Sequence, residues 1–230
     1  MEIKNTKGET EGGYKLYMLL LGSKAPKRNV EQHDYFFGIA RSLKELVPHI
    51  KAFWPEAGAS IHIDGWREVN KVDGYRINVV LKTEAHTISA KKLFFINLGG
   101  YQQNKLEEQH YIVLTVQDDR ALAIKDAKST VFFKSNSIKG ANSHIDEKYG
   151  IDVDDIYKIE EILSPAQKET FHIEITELSN NSSNSELTKV DLADSVWEQS
   201  SVSDHKELPD IHGLQAEDEI HLGYFKLDKL

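Results

Sequence analysis

Apolar residues in this chain gather into short runs separated by polar stretches, and the same order of runs occurs twice. Leu16 to Leu21 and Leu93 to Leu98 are almost unbroken apolar segments, each closed by a glycine, Gly22 or Gly99. Runs of this length predict strands buried on both faces. After a polar loop comes a second run, Tyr35 to Ile39 or Tyr111 to Val116. Leu43, Leu46, Val47, Ile50 and Trp54 then recur at helical spacing, with Ser42 and Glu45 as a capping box. Pro48 either moves the helix start to near Val47 or kinks the helix. In the second half Ala123, Ile124, Ala127 and Val131 supply the helix face, behind Asp118 or Asp119 as cap. Tyr75, Ile77, Val79 and Leu81 alternate with Arg76, Asn78, Val80 and Lys82, a strand pattern of period two. Asp73-Gly74 predicts a hairpin turning back from Trp66–Val69.

Superposing the chain on itself makes the recurrence explicit. At an offset of 77, seven of 25 positions agree between 15–39 and 92–116, among them Glu31-Gln32-His33 on Glu108-Gln109-His110. At an offset of 82, Gly58 to Asp64 lies on Gly140 to Asp146 with five identities in seven. The change of offset falls in Lys134 to Lys139, a polar stretch of the kind that loops tolerate. The fold expected is α+β: two tandem β-β-α-β repeats related by a pseudo-twofold axis, sharing one mostly antiparallel sheet and core. A leader (1–14) precedes repeat 1 (15–82), a connector (83–91) leads to repeat 2 (92–164), and an acidic extension (165–230) follows. In the extension Phe171, Ile173 and Ile175 alternate, so strands are expected at 168–178 and 219–228, with 179–186 as a polar linker. Val190, Ala193 and Trp197 hint at a short helix.

Charge narrows the partners. Of the formal net charge of −9, Ser179 to Leu230 carries −7, from 11 acidic and 4 basic residues. A near-neutral body with an acidic end has no basic field for phosphate backbones or anionic membranes, so neither nucleic acid nor membrane is an expected partner. The absence of cysteine rules out disulfides, thiolate catalysis and cysteine zinc sites. No leader with signal-peptide character precedes Leu16 to Leu21, which points to the cytoplasm.

No phosphate loop, dinucleotide fingerprint, nucleophile elbow or H-E-x-x-H motif is present. The Gly22-Ser23-Lys24 and Gly99-Gly100 segments read as tight turns closing strands. What recurs is a set of polar groups. Glu31 and His33 open the second strand and His62 and Asp64 follow the helix, with Glu108, His110, His144 and Asp146 as their counterparts. If the second strand, the helix and the next strand form a crossover, the two strands run parallel and their starts share one edge. Two imidazoles and two carboxylates there would suit a divalent metal or an acid–base pair, and would equally suit a structural network in which each His fixes a loop. The histidines without a repeat partner, at 49, 86, 172, 205, 212 and 221, read as surface residues. Trp54 reads as core and Trp66 as packing beside the cluster.

The Lys-Leu-Tyr strand with Gly22, the Glu31-Gln32-His33-Asp34 segment and His62-Ile63-Asp64-Gly65-Trp66 resemble a bacterial family known only as a domain of unknown function (1543), which occurs in one or two copies per chain. The resemblance covers about 15–164 and departs in the second copy at Tyr111 and Glu147-Lys148. It implies the repeat and no activity. Three function classes follow: a structural or interaction protein assembling with itself or a protein partner, a small-ligand or divalent-metal binding protein using the clusters, and, as the least favoured, an enzyme using them for acid–base chemistry.

Overall fold

A computed structural model describes residues 13–83, 89–101, 106–129, 151–178 and 218–230. Strand β1 (Lys15–Ser23) is followed by β2 (Gln32–Ala40), helix α1 (Leu43–Phe53) and β3 (His62–Glu68). Both β2 and β3 pair antiparallel with β1, one on each side, and β10 (His221–Lys226) adds beyond β3 to give the order β10-β3-β1-β2. The second half opens in the same way. Strand β6 (Lys92–Tyr101) lies between β7 (Glu108–Gln117) and β8 (Ile151–Lys158), with α2 (Arg120–Ala127) connecting toward β8. A third sheet joins the hairpin β4 (Lys71–Val72) and β5 (Tyr75–Leu81) to β9 (Phe171–Glu177). Short helices α3 (Ile159–Ile162) and α4 (Pro165–Thr170) lead from β8 into β9.

The expected single sheet is therefore three sheets. The reason lies in the doubly apolar strands. One face of β1, with Tyr17, Leu19 and Leu21, packs under α1 together with Leu46 and Ile50. Its other face, with Leu16 and Met18, shares a core with Leu93 and Phe95 of β6 and with Ile77, Ile173 and Ile175 of the third sheet. Residues Phe94, Ile96 and Leu98 of β6 bury against Ala123 and Ala127 of α2. Two sheets thus stack through the central core, each covered outside by its own helix. Phe37 meets Phe95 edge-on at 5.2 Å between centroids across that core.

Local chemistry accounts for the element ends. Asp119 caps α2 by accepting from the Leu122 N–H at 2.9 Å. Helix α1 starts at Leu43 and runs through Pro48; Ser42 makes no side-chain cap there, and Glu45 reaches back to the Arg41 N–H at 3.0 Å. The hairpin turns at Asp73-Gly74, both at positive φ (52° and 76°), as a two-residue turn requires. Its outgoing strand, Tyr75–Leu81, pairs with β9 and so belongs to neither main sheet; β3 is the strand that completes the first one. No helix among the described residues is long and apolar enough to cross a membrane. The expected helix near Val190 and the linker 179–186 lie outside the described residues, as does Val131.

Candidate functional site

The glycines that close the apolar runs do not end the strands. Gly22 lies within β1, with His33 of β2 opposite it on one side and His62 of β3 on the other. Strands β2 and β3 run in the same direction because both oppose β1, so their first residues meet at one glycine although the strands are not neighbours. The β1–β3 register shifts between Leu20 and Leu21, where Leu20 faces Gly65 and Leu21 faces Ile63. Asp64 is the extra residue of that bulge, which turns its carboxylate toward the glycine. A Cβ on Gly22 would sit 2.6 Å from His62 Nε2 and closer still to Asp64 Oδ2. Only glycine leaves room for the group.

All four predicted residues of the first cluster converge there. Glu31 Oε1 and Asp64 Oδ1 each lie 3.1 Å from His62 Nε2, and His33 Nε2 lies 3.1 Å from Asp64 Oδ2. Ring nitrogen Nδ1 of His62 is 2.9 Å from the Ser60 carbonyl. A carbonyl only accepts, so Nδ1 carries the hydrogen. Nε2 then faces two carboxylate oxygens, an arrangement that calls for a shared proton, on the ring or on a carboxyl, or for a cation between the groups. Asp64 Oδ2 is buried and without a hydrogen bond, since His33 approaches it out of line.

The orienting carbonyl is itself fixed. Ser60 Oγ is 2.6 Å from the fully buried Ser23 Oγ at the end of β1, and donates to the Ala57 carbonyl at 2.8 Å. Tyr224 of β10 covers the His62 ring, with centroids 4.2 Å apart. Trp66 packs as expected, though on Tyr17 and on His221, which stacks on it at 4.0 Å while its side chain stays 38% exposed.

The second half presents a related group. His110 stands opposite Gly99, Glu108 opens β7, and the β6–β8 register shifts between Asn97 and Leu98, leaving Asp154 as the extra residue. Here His110 Nδ1 lies 3.4 Å from Asp154 Oδ2 and its Nε2 lies 3.7 Å from Glu108 Oε2. Among the described residues, Glu108, His110 and Asp154 form the one group whose ligand atoms all lie within 4.8 Å of one another. A Cβ on Gly99 would come within 2.6 Å of Asp154 Cγ. The predicted members His144 and Asp146 lie outside the described residues. The position opposite Gly99 on β8 is Asp152, so His62-Ile63-Asp64 corresponds in register to Asp152-Val153-Asp154, at an offset of 90 rather than 82. The signal in the sequence was the spacing of two chelating residues around one apolar residue, masked by the stronger five-in-seven identity at Gly140–Asp146.

Residues beside the two groups are electrostatically coupled. Desolvation raises the carboxyl of Asp34, next to His33, above its usual range; the Tyr35 N–H opposes this, and the charge of Asp155, next to Asp154, adds to it.

A family model described as Domain of Unknown Function (DUF1543) matches residues 28–79, the stretch that contains Glu31, His33, His62 and Asp64. The chain is also similar to protein Il1583 from Idiomarina loihiensis, whose crystal structure superposes with a TM-score of 0.47 and 21% identity, covering 71% of this chain and 86% of that one. No curated protein matches the chain.

Proposed function

We propose that this chain is a divalent-cation-binding protein made of a duplicated β-β-α-β unit, with one His/carboxylate site in each copy. The observation that carries the reading is the His62 ring: Nδ1–H is held by a backbone carbonyl, and Nε2 points between Glu31 Oε1 and Asp64 Oδ1. A backbone carbonyl behind a ligating imidazole is the usual second layer of a metal site. Each carboxylate stands 3.1 Å from Nε2, and an ion entering between them would draw the remaining ligands inward, whereas the ligand atoms of Glu108, His110 and Asp154 at the second site already lie within 4.8 Å of one another. Asp64 Oδ2, which accepts no hydrogen bond and has His33 Nε2 3.1 Å away, supplies a further lone pair at the same place.

Duplication is supported by three coincidences of geometry: the strand order β3-β1-β2 against β8-β6-β7, the pairing of each central glycine with a histidine of the next strand, and the aspartate left over at the same bulge. The first site offers two imidazoles and two carboxylates and suits zinc or another late transition metal. The second offers one imidazole with carboxylates and suits a harder cation such as manganese or magnesium as well. The two carboxylates around His62 favour a second reading, a structural network in which the imidazole and carboxylates fix the start of β3, which belongs to the structural or interaction class.

Calorimetric titration of tag-free, chelator-stripped protein with zinc separates the two. The expected result is two bound ions per chain, with the first lost in His33→Ala and the second in His110→Ala. A chain that takes up no zinc at millimolar concentration, or loses none in these variants, has structural networks only.

A further inference from the structure

Between the two stacked sheets, on the same inner faces that carry the two clusters, runs an apolar cleft of about 280 Å³. Met18, Leu20 and Tyr35 form one wall, Ile112 and Leu114 the other, and Leu222 of β10 lies at the rim. The exception to this apolar lining is Arg67 of β3, opposite Met18. A guanidinium has five N–H donors, yet among the described residues Arg67 makes one hydrogen bond, a 3.4 Å contact from Nη2 to Met18 Sδ, and a thioether is a weak acceptor. The carboxylate whose charge acts on Arg67, Asp218, is already held by the Asn70 and Lys71 backbone N–H groups and by Asn70 Nδ2. Desolvation lowers the Arg67 guanidinium below its usual value, with the charges of Asp218 and then Tyr35 acting against this. Burial raises the Tyr35 phenol above its usual value, with the charge of Arg67 acting against this, so Tyr35 brings an O–H donor to the residues that line the cleft.

We infer that the cleft binds a small organic monocarboxylate with an unbranched or aromatic apolar body, its carboxylate on Arg67 and its body along Met18, Leu20 and Leu114. An anion is called for because a half-buried guanidinium at an apolar cleft, with donors not taken by protein acceptors, gains a strong charge-assisted pair from a carboxylate. A single negative charge is called for because one guanidinium neutralises one carboxylate, and a dianionic phosphate would bring an uncompensated charge into an apolar slot. The body is apolar because the walls are. Size sets the upper limit: the cleft falls just below the range of about 300–1,000 Å³ for small-ligand pockets, and Met18 to Gly22 along β1 spans about 13 Å at 3.3 Å per residue. A ligand seated this way extends from Arg67 toward Gly22. The inference does not rest on cation binding, and it stands if the clusters prove structural.

Calorimetry with octanoate in the presence of chelator tests it on the intact chain. Octanoate is expected to bind once per chain and at least about tenfold more tightly than 1-octanol, the difference made by one charge-assisted hydrogen-bonded pair. Octyl phosphate is expected to bind more weakly than octanoate. Arg67→Met is expected to erase the preference for the acid over the alcohol, and Arg67→Lys to keep part of it. If octanol and octanoate bind equally well to the unmodified chain, the cleft is an apolar surface without anion recognition and the inference falls. It falls equally if octanoate does not bind, if octyl phosphate binds more tightly, or if a folded Arg67→Met chain keeps its octanoate affinity. Should that variant fail to fold, the acid-to-alcohol ratio in the unmodified chain decides alone.

Discussion

At Gly22 the neighbouring strand begins with His62, whose side chain is 4% exposed and whose ring is clamped between a backbone carbonyl, two carboxylates and the Tyr224 ring. At Gly99 the neighbouring strand has Asp152 in that register, and the imidazole at hand is His110, with 50% of its side chain exposed. The scaffold around the two is alike: a glycine inside the central strand, a Glu-x-His opening on one side and a bulged aspartate on the other. The contrast shows that backbone geometry alone brings chelating groups together, whereas a buried, oriented imidazole is what makes one of the groups rigid. The first is pre-organised by its surroundings, and the second is the more exposed of the two.

The largest difference between the halves is expected from removing the imidazoles. His62→Ala leaves Glu31 and Asp64 facing each other without a cation and empties a buried position. Its expected cost is about 2 kcal/mol, moderated because both carboxylates are partly exposed. His110→Ala removes a half-exposed ring and is expected to stay within about 0.5 kcal/mol of the unmodified chain. Denaturant unfolding in chelator measures both. Equal losses would mean that the two groups are energetically equivalent and that burial of His62 carries no weight.

The next sharpens the role of the glycines. Gly22→Ala drives a methyl group against His62 Nε2 and Asp64 Oδ2, and His62 has nowhere to go while Ser60 and Tyr224 hold it. A loss of about 1 kcal/mol and the disappearance of zinc binding at the first site are expected. Gly99→Ala meets the carboxylate of Asp154, which is 26% exposed against 4% for His62; it should weaken the second site with a loss of no more than about 0.5 kcal/mol. Zinc titration of each variant checks the site, and thermal unfolding checks the cost. If Gly22→Ala binds zinc as before, the glycine is not the floor of a site.

Much of this arrangement was legible in the residues, and the parts that were not have identifiable causes. The convergence of Glu31, His33, His62 and Asp64 follows from periodicity and a crossover, because any β-β-α-β unit with a central first strand brings the starts of its second and third strands to the end of the first. The separation into stacked sheets was not legible. A strand apolar on both faces fits one large sheet between helices as well as a sandwich, and the choice depends on which faces meet through Leu16, Phe37 and Phe95. The role of Gly22 and Gly99 was hidden for a related reason: a glycine after an apolar run reads as a turn, and only the cross-strand register shows the strand continuing past it. Asp154 was hidden by the bulge, which breaks the alternation that a sequence pattern relies on. Arg67 gave no sequence signal at all, since its isolation is created by the opposite sheet.

The smallest expected effect lies under the helices, where Tyr17 of β1 and Phe94 of β6 hold matching positions at the offset of 77. Tyr17 is almost fully buried, and its phenol is pushed up from 10.0 to about 12, first by burial, then by the charge and hydrogen bond of Glu68, then by Glu45. Phe94 has nothing to ionise. The folded chain therefore holds the Tyr17 proton more tightly than the unfolded chain does, so this contribution to stability is complete below pH 10 and is lost as pH rises from 10 toward about 12. Tyr35 and Tyr157 are raised as well, by burial and by the hydrogen bond to Asp155 respectively, and add to the same alkaline loss. Tyr17→Phe makes the first half resemble the second. Its Oη lies a long 3.5 Å from the Arg41 carbonyl, so the substitution is expected to change stability by no more than about 0.5 kcal/mol at neutral pH. Above pH 10 the variant should fall less steeply than the unmodified chain while keeping the part of the slope that belongs to Tyr35 and Tyr157. Urea unfolding at closely spaced pH values from 8 to 11.5 would measure the two slopes, and parallel curves across that window would show that the Tyr17 proton is held no more tightly in the fold than outside it.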